Sequence, residues 1–410
     1  MRIAYLTGEY PRATDTFIQR EVAALRQEGA EIHTFSVRPT GEEHMVGEEQ
    51  KQERNQTFYI LPPRPVKLLR AHLSLLLSSP KRYFAALKLA WLTRIHGLQG
   101  NFYQLFYFLE AGILAQEIRQ RRIGHLHNHF GDSSCSVAML AAELGDFSYS
   151  FTLHGPYIFF NPYHWRLDEK INRAKFISCI SNYCRSQGMI FAPIEKWNKM
   201  HIVHCGIDPS LFKVVSHNGQ GKRLLYVGRL AAVKGLPILL ESLASLKQQH
   251  PDVILTVVGD GGDRTFLEQM TTDLGLSNNV NFVGYKSQAE VRKYFEETDV
   301  FVLSSFAEGV PVVLMEAMAT GVPVVATQIA GVSELVENGV SGYIVPAGDK
   351  IALGQSIEKL LNDCELRAKF GTSGRNKVEK EFNINIEAQK LYQVMSKALL
   401  KPSVKQGCSS

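Results

Sequence analysis

The sequence predicts two α/β domains, each with a parallel β-sheet covered by helices on both faces, and three observations lead to this fold class. The chain has 410 residues, which is more than one hydrophobic core usually organises and enough for two domains of about 200 residues each. Short apolar segments alternate with helical patterns along both halves. In the second half these apolar segments are continuous and rich in β-branched residues, which is typical of parallel strands buried on both faces.

The first half begins with a strand at residues 2–6, which is followed by a loop at residues 7–14 and then a helix. Asp15 or Thr16 opens this helix, and Gln19 stands three residues after Thr16 in the pattern of a capping box. Further strands are predicted at residues 32–37, 123–129, 148–153 and 176–180.

The second half alternates strands and helices more regularly. Strands are predicted at residues 223–227, 253–258, 280–283, 300–303 and 323–326. Helices are predicted at residues 236–249, 264–274, 287–297 and 311–320. After residue 350 the pattern is helical to about residue 400.

A polar, glycine-containing segment at residues 216–222 separates the two alternating patterns, and it predicts the interdomain linker. We therefore expect a first domain at residues 1–215 and a second domain at residues 216–385. Residues 386–400 form a last helix, and residues 401–410 form a flexible tail.

Composition narrows the classes of function. Hydrophobic residues make up 45% of the chain and charged residues 21%, as in soluble globular proteins. The six cysteines include no C-x-x-C pair, which argues for a reducing compartment and against a cysteine-built zinc site. A net charge of +5 without a basic run interleaved with aromatics argues against nucleic acid as a partner. Because neither a signal peptide nor a spanning apolar segment is recognisable, we expect a cytoplasmic protein.

Two glutamates, Glu308 and Glu316, flank the start of a predicted helix that follows the strand at residues 300–303. Pro311 suits the first helical position, and Gly321 suits the position after the last. The helix therefore starts where ligands of open α/β sheets bind, and its free N–H groups favour a phosphate or a diphosphate. Glu316 stands on an otherwise apolar helix, which is costly unless sugar hydroxyls or a buried Arg or Lys partner its carboxylate.

This segment resembles the signature of a large retaining family, the glycosyl transferases of group one: two glutamates with seven residues between them, the first followed by Gly-x-Pro. The resemblance covers nearly the whole chain and is strongest over residues 223–346. It implies the GT-B fold, in which two Rossmann-like domains face each other across a cleft and the last helix crosses back to the first domain. It also implies that Glu316 binds the ribose hydroxyls and that Glu308 contacts the donor sugar. Backbone N–H groups near three residues would then face the sugar or the diphosphate: Gly309, Val310 and Val312.

Two cations follow the first strand of the second half. Arg229 and Lys234 come after Gly228, which allows close backbone approach at the carboxyl end of that strand. The resemblance assigns both cations to the leaving diphosphate, together with the helix end at Pro311. Two fixed cations can replace Mg²⁺ in this role, so we expect no metal and no other cofactor.

In the first domain His154 follows the strand at residues 148–153. The resemblance implies that it faces the cleft and contacts the donor sugar near the reacting centre. Many relatives carry an Asp three positions later, where this chain has Tyr157, and this departure leaves acceptor recognition open. Gly8 is a candidate for the donor or acceptor loop. Its surroundings, which include Glu21 further on, are similar to a subset associated with bacterial exopolysaccharide assembly of the colanic-acid kind.

Two other patterns point to different chemistry. His125, His127 and His129 alternate with strand period, so their imidazoles share one face and invite a zinc hypothesis. The family commonly has a His-rich strand end here, and we favour that interpretation. Residues 259–262 are similar to a dinucleotide loop, but the full G-x-G-x-x-G and its distant acidic residue are absent from the sequence.

Residues 54–109 contain eight basic residues and no acidic one, and residues 66–91 mix them with Leu, Phe and Trp. Such a segment fits a helix lying at an anionic membrane surface, which would bring the cleft to a lipid-linked acceptor. It also fits a helical insertion, at about residues 62–100, packed on the first domain with its basic residues solvated. Both interpretations stay open at this point.

The sequence thus predicts a retaining, metal-independent glycosyltransferase that uses a UDP- or GDP-sugar and a saccharide or lipid-linked acceptor. We expect it in cell-surface polysaccharide or glycolipid biosynthesis, in the cytoplasm or peripheral at the inner face of the plasma membrane. One alternative is a catalytically silent GT-B scaffold, against which the intact glutamates and cations argue. Another is a nucleotide-sugar epimerase on the same fold, which would process the donor without an acceptor.

Overall fold

A computed structural model describes residues 1–12, 15–45, 47–216 and 221–400, and it contains two parallel β-sheets. The first sheet has seven strands: β1 (Arg2–Glu9), β2 (Glu31–Arg38), β3 (Phe58–Tyr59), β4 (His125–His129), β5 (Ser148–Leu153), β6 (Ile177–Cys179) and β7 (Met200–Ile202). Their order across the sheet is β3-β2-β1-β4-β5-β6-β7. Every neighbouring pair is parallel.

The second sheet has six strands: β8 (Arg223–Val227), β9 (Ile254–Val258), β10 (Val280–Gly284), β11 (Val300–Leu303), β12 (Val324–Thr327) and β13 (Gly342–Val345). Their order is β10-β9-β8-β11-β12-β13, again with parallel neighbours. Strands β11 and β12 are buried along their whole length, as expected of strands covered on both faces. The prediction of two parallel-sheet α/β units is confirmed.

Helices cover the two sheets. Those of the first half are α1 (Thr16–Gln27), α2 (Glu48–Gln56), α3 (Pro65–Ser78), α4 (Pro80–Leu92), α5 (Leu98–Gln120), α6 (Ser133–Gly145), α7 (Tyr157–Phe160), α8 (Leu167–Arg173) and α9 (Asn182–Ile190). Those of the second half are α10 (Leu236–Leu246), α11 (Arg264–Asp273), α12 (Gln288–Glu296), α13 (Val312–Ala319), α14 (Val332–Leu335), α15 (Lys350–Asn362), α16 (Cys364–Glu381) and α17 (Ile384–Leu399).

The strand order reverses direction once in each sheet, between β1 and β4 and between β8 and β11. In open parallel sheets the carboxyl ends of the strands at such a point form a crevice that binds ligands. Here the loops that follow β5 and β11 come into contact with each other, so the two crevices face one another across a single cleft. This arrangement is the GT-B architecture.

The last helix, α17, returns to the first half of the chain. Its residues Leu391 and Met395 share a buried apolar cluster with Ile18, Val22 and Leu25 of α1. In addition, the Glu387 carboxylate accepts a hydrogen bond from the His204 backbone N–H at 2.8 Å. This packing ties the end of the chain to the first sheet.

Several local predictions need correction. Strand β1 runs to Glu9, so Gly8 belongs to the strand and not to the loop after it. The predicted capping box of Thr16 and Gln19 is wrong. The Gln19 side chain instead donates to the Arg12 carbonyl at 2.9 Å and accepts from Gln50 at 2.7 Å.

The basic and apolar segment predicted as one helix is divided in two. Helix α3 ends at Ser78 and α4 begins at Pro80, since proline has no N–H to continue the earlier helix but suits the first turn of a new one. The sequence analysis also missed three short strands, β3, β7 and β13. Most of the predicted linker, residues 217–220, and all of the predicted tail lie outside the described residues. Among the helices that are described, none is long and apolar enough to cross a membrane.

Candidate active site

A lysine and a glutamate from different loops meet at the carboxyl end of the second sheet. The Lys234 Nζ donates to the Glu308 Oε1 at 2.5 Å, and the Ser305 hydroxyl donates to the same oxygen at 2.8 Å. Lys234 ends a short 3₁₀ helix after β8, and Glu308 lies in the loop after β11. Both side chains are mostly buried. A fixed cation and a fixed carboxylate therefore lie side by side where the crevice opens.

Helix α13 begins beside this pair. Pro311 is the residue before its first turn, with an extended backbone, and Val312 is its first helical residue. The prediction that Pro311 itself is the first helical position is therefore wrong by one residue. The first N–H groups of α13 have no partner within the helix, so this end provides donors and a positive potential for an anion.

Glu316 lies further along α13 and pairs with an arginine of the first domain. The Arg20 Nη2 of α1 donates to the Glu316 Oε1 at 3.1 Å. Burial raises the pKa of Glu316, and the nearby guanidinium of Arg20, assisted by Arg292, opposes that shift. An arginine is therefore a partner of this carboxylate, as the second of the two predicted possibilities required.

The other cation predicted at this edge, Arg229, has an exposed side chain just beyond β8. It follows Gly228, against whose carbonyl the loop after β9 packs closely: a Cβ on Gly259 would lie 2.0 Å from the Gly228 oxygen. A Cβ on Gly261 would lie 2.2 Å from the Leu230 oxygen. The glycines of residues 259–262 that resemble a dinucleotide loop therefore let this loop pack on the turn that carries Arg229.

The loop carrying Glu308 makes direct contact with the first domain. A Cβ on Gly309 would lie 2.4 Å from the His154 carbonyl oxygen and 3.0 Å from the Ile180 side chain. Val310 is buried next to it. On the same side of the cleft, the Glu334 carboxylate accepts hydrogen bonds from the backbone N–H groups of Asn182 and Tyr183 at 2.7 and 2.8 Å. These contacts hold the two domains together at this side of the cleft.

His154 is buried, and both of its ring nitrogens face protein atoms. The Nε2 forms a hydrogen bond of 2.9 Å with the His129 Nδ1, and the Nδ1 lies 3.7 Å from the Cys205 sulfur. Burial and the neighbouring His129 lower the pKa of His154, so that the ring is neutral at pH 7. Its backbone carbonyl, not its ring, is the group that meets the Glu308 loop.

A buried glutamate extends this histidine network. The Glu21 Oε1 accepts from the His129 Nε2 at 3.1 Å and from the Tyr5 hydroxyl at 2.7 Å. The carboxylate therefore fixes which nitrogen of His129 carries the proton, and through it the hydrogen bond to His154. Glu21, His127 and His129 also lie close enough together to hold a metal ion. In the structure, however, the His127 nitrogens bond to the Ser150 and Thr152 hydroxyls at 2.7 and 2.9 Å.

No role was predicted for Arg20, and Glu21 served only as a mark of resemblance. The signal for Glu21 is its position in α1: Ile18, Val22 and Leu25 form the buried stripe, and Glu21 stands between them at helical spacing. A charged residue in such a stripe requires a buried partner. Arg20 gives no comparable signal, because its partner lies 296 positions away.

Tyr157, which stands where many relatives carry an Asp, contacts another acid. Its hydroxyl donates to the Asp132 Oδ2 at 3.1 Å, while Asp132 also accepts from the Ser134 N–H as the cap of α6. The Tyr157 hydroxyl is therefore held by an aspartate from the loop after β4. Gly8 lies at the end of β1 with open space around its α-carbon.

Comparison with known proteins covers both halves of the chain. Residues 15–211 match the family described as Glycosyltransferase Family 4, and residues 208–377 match the family described as Glycosyl transferases group 1. The two matches together include every strand except β1 and every site residue named above except Gly8 and Tyr5.

Similar individual proteins come from polysaccharide assembly. The amylovoran biosynthesis glycosyltransferase AmsK of Erwinia amylovora is 35% identical over 207 residues, which are 48% of this chain and 51% of AmsK. The putative colanic acid biosynthesis glycosyltransferase WcaL of Escherichia coli K12 is 29% identical over 209 residues, which are 48% of this chain and 52% of WcaL. This chain spans about half the length of these curated relatives. The solved structure of Anabaena Alr3699/HepE in complex with UDP has a TM-score of 0.73 and 20% identity, covers 97% of this chain and 100% of that one, and shares its fold.

Proposed function

We propose that this chain, which matches Glycosyltransferase Family 4 over residues 15–211 and Glycosyl transferases group 1 over residues 208–377, is a retaining, metal-independent glycosyltransferase. It moves a sugar from a nucleoside diphosphate to a saccharide or lipid-linked acceptor in the assembly of a cell-surface polysaccharide. One observation carries this proposal: Lys234, Glu308, the start of α13 and Glu316 lie together at the carboxyl edge of the second sheet, facing the first domain.

The donor is a nucleotide sugar in this proposal, with UDP-sugars and GDP-sugars as the two candidates. Glu316 offers carboxylate oxygens to the ribose hydroxyls, and the free N–H groups at the start of α13 receive the diphosphate. HepE, which has the same fold, has been solved in complex with UDP and with UDP-glucose. That likeness supports a nucleotide site in this fold, and the residues of this chain supply its chemistry.

The proposed reaction is a substitution on one face of the sugar. The acceptor oxygen forms a bond to the anomeric carbon on the side from which the diphosphate leaves, and the C–O bond to the phosphate breaks. The electron pair of that bond leaves with the diphosphate, and a phosphate oxygen takes the proton of the acceptor hydroxyl. Lys234 and Arg229 stabilise the charge that builds up on the phosphate. Lys234 is held in place by Glu308 and needs little reorganisation during the reaction, and Arg229 adds a second positive charge, which is why we propose that no metal is required.

Glu308 and His154 have different roles in this proposal. The Glu308 carboxylate, held by Lys234 and Ser305, accepts hydrogen bonds from hydroxyls of the donor sugar. His154 acts from the first domain, where its neutral ring is fixed by His129. Because its backbone carbonyl meets Gly309, a movement of His154 would displace the Glu308 loop, and the residue therefore aligns the two halves of the sugar site.

The acceptor side of the proposal rests on the surface of α3 and α4. Leu77 is 81% exposed and Trp91 is 59% exposed, and both belong to the segment that contains no acidic residue. Arg166 donates to the Leu92 carbonyl at 2.8 Å and so links the end of α4 to the loop that follows His154. An anionic membrane surface fits these apolar and basic side chains. Contact there would present a lipid-linked acceptor to the cleft.

Nucleotide binding tests the proposal most directly. We expect one of UDP, GDP, ADP and CDP to raise the melting temperature of the protein in EDTA. At 100 times its dissociation constant, a ligand adds about 2.7 kcal/mol to stability. The Glu316→Ala variant should lose this shift, whereas Glu365→Ala, at an exposed position of α16, should keep it. If no nucleotide shifts the melt with or without a metal, a scaffold protein becomes the better explanation of the fold.

A further inference from the structure

We infer that Arg20 is a donor-binding residue that the first domain contributes across the cleft, where its guanidinium binds an oxygen of the ribose, or of the phosphate attached to it, beside Glu316. This inference rests on the proposed function, since it concerns the same nucleotide. It assigns part of the nucleotide site to α1, a helix of the opposite domain. Donor binding would then draw on side chains of both domains.

The position of Arg20 is fixed by two residues of the second domain. Its Nη2 donates to the Glu316 Oε1 at 3.1 Å and to the Gln288 Oε1 at 3.2 Å. Gln288 is the first residue of α12, and Glu316 belongs to α13. The guanidinium therefore spans two helices that both start at the carboxyl edge of the second sheet. A side chain fixed between them lies next to any ligand of Glu316.

Among the residues that the structure describes, the other terminal nitrogen of Arg20 has no hydrogen-bond acceptor. Its Nη1 is buried and unpaired among the residues that the structure describes. Leaving a charged donor buried without an acceptor costs more than leaving a neutral one, so an oxygen of a bound ligand at this nitrogen would be stabilising. A hydroxyl that bonds to the Glu316 carboxylate lies within about 3 Å of that oxygen. The free Nη1 is then close enough to reach the same ribose or its phosphate.

The negative charge of Glu316 favours a nucleotide that binds beside Arg20 over a nucleotide that displaces Arg20 from the carboxylate. Glu316 is mostly buried, and the ribose hydroxyls that approach it are neutral, so they cannot replace the positive charge of Arg20. If Arg20 left, the carboxylate would lose its closest cation. An arginine can keep one N–H on Glu316 and offer the others to a phosphate, because its donors diverge in a planar fork.

The test measures UDP binding by calorimetry in EDTA, with GDP as the second probe if the wild type prefers it. Arg20→Met should weaken binding about 10- to 100-fold, the range expected for hydrogen bonds from a charged group. Arg20→Lys keeps the charge but not the fork, and should fall between Arg20→Met and the wild type. Two control variants should stay within about threefold of the wild type. Arg26→Met removes an arginine of the same helix that pairs with Glu53 inside the first domain. Glu334→Gln weakens a different contact between the domains.

A double variant separates direct contact from an effect through Glu316. If Arg20 binds the nucleotide, Arg20→Met with Glu316→Gln should bind UDP more weakly than Glu316→Gln alone. Equal affinities of these two variants would overturn the inference, as would unchanged or tighter binding by Arg20→Met with an unchanged far-ultraviolet dichroism spectrum. Failure of the wild type to bind any nucleotide would instead count against the proposed function itself.

Discussion

The Nδ1 of His129 and the Nε2 of His154 are 2.9 Å apart and join the ends of two neighbouring strands beneath the cleft. The hydrogen bond turns the His154 ring towards the interior of the first domain. Beyond it, the Glu21 carboxylate holds His129. His154, which is predicted to contact the donor sugar, is thus the last residue of a buried hydrogen-bonded network that runs from Glu21 of α1 through His129.

His154 and two buried histidines of β4, His125 and His127, make stability depend on pH in the acidic range. Burial lowers the pKa of His154 and His127, and it lowers the pKa of His125 to about 3. A depressed histidine pKa contributes stability above the unfolded value near 6.5, and this contribution is lost as the pH falls towards the folded value. We therefore expect the free energy of unfolding to fall, for each of these rings, by about 1 kcal/mol per pH unit as the pH is lowered from about 6 to 5.

Urea denaturation at pH 7.5, 6 and 5 measures this dependence. The His125→Gln variant should show a shallower loss than the wild type, because a neutral amide replaces one titrating ring. His164→Gln, which changes a histidine outside the network, should follow the wild-type slope. Equal slopes for all three proteins would mean that the buried rings do not govern acid stability.

A second prediction concerns the Lys234–Glu308 pair. Lys234→Met and Glu308→Gln should each lower the unfolding free energy by about 2 kcal/mol, because each leaves one mostly buried charge without its partner. The double variant should recover part of this stability but no sugar transfer, since both groups act on the donor. Urea denaturation and single-turnover transfer measure the two effects. Independent, additive losses of stability would contradict the pairing.

A third prediction concerns Gly309. The Gly309→Ala variant should reduce transfer at least tenfold, because the added methyl group meets the His154 carbonyl at 2.4 Å and holds the two domains apart. Gly262→Ala is the matched control, since nothing lies within 4 Å of a Cβ there. Small-angle scattering should give a larger radius of gyration for the first variant only. A closed, fully active Gly309→Ala protein would show that this contact is not needed.

A fourth prediction concerns Glu110, a buried residue of α5. Burial raises the pKa of its carboxyl to about 7, although Arg38 opposes the shift. A raised carboxyl pKa lowers stability as the pH rises from the unfolded value near 4.5 through the folded value. Glu110→Gln should therefore have a higher free energy of unfolding than the wild type at pH 8, by up to about 3 kcal/mol. The difference, measured by urea denaturation, should be smaller at pH 5. Glu365→Gln, an exposed change, should show no such dependence.

A fifth prediction concerns the apolar surface of α3 and α4. Wild-type protein should sediment with vesicles of anionic phosphatidylglycerol at low salt, and less with neutral phosphatidylcholine. The Leu77→Glu and Trp91→Glu double variant should lose most of this binding. Phe266→Glu, at an exposed aromatic residue of the second domain, provides the control. Binding that is equal for both lipids and for all three proteins would rule out docking through this surface.

The architecture was accessible from sequence because it depends on local patterns. Continuous β-branched runs such as residues 300–303 predict buried parallel strands, and the structure has β11 at Val300–Leu303. Patterns failed where a segment is short or a side chain has a better distant partner. The two residues of β3 carry too little periodicity to be recognised, and Gln19 turns to Arg12 and Gln50 instead of capping its helix.

By itself the sequence predicted the two-sheet fold and a helix that starts within one residue of α13, since each follows from residues near one another along the chain. It also predicted which glutamates and cations stand near that helix. Only the tertiary structure decided which of these groups are paired. It joins Lys234 to Glu308, brings Arg20 to Glu316, and connects Glu21 to His154 through His129. The physical reason is that a buried charge is stable only beside a partner that the fold brings to it. Because that partner can lie far away along the chain, the sequence around the charged residue does not identify it.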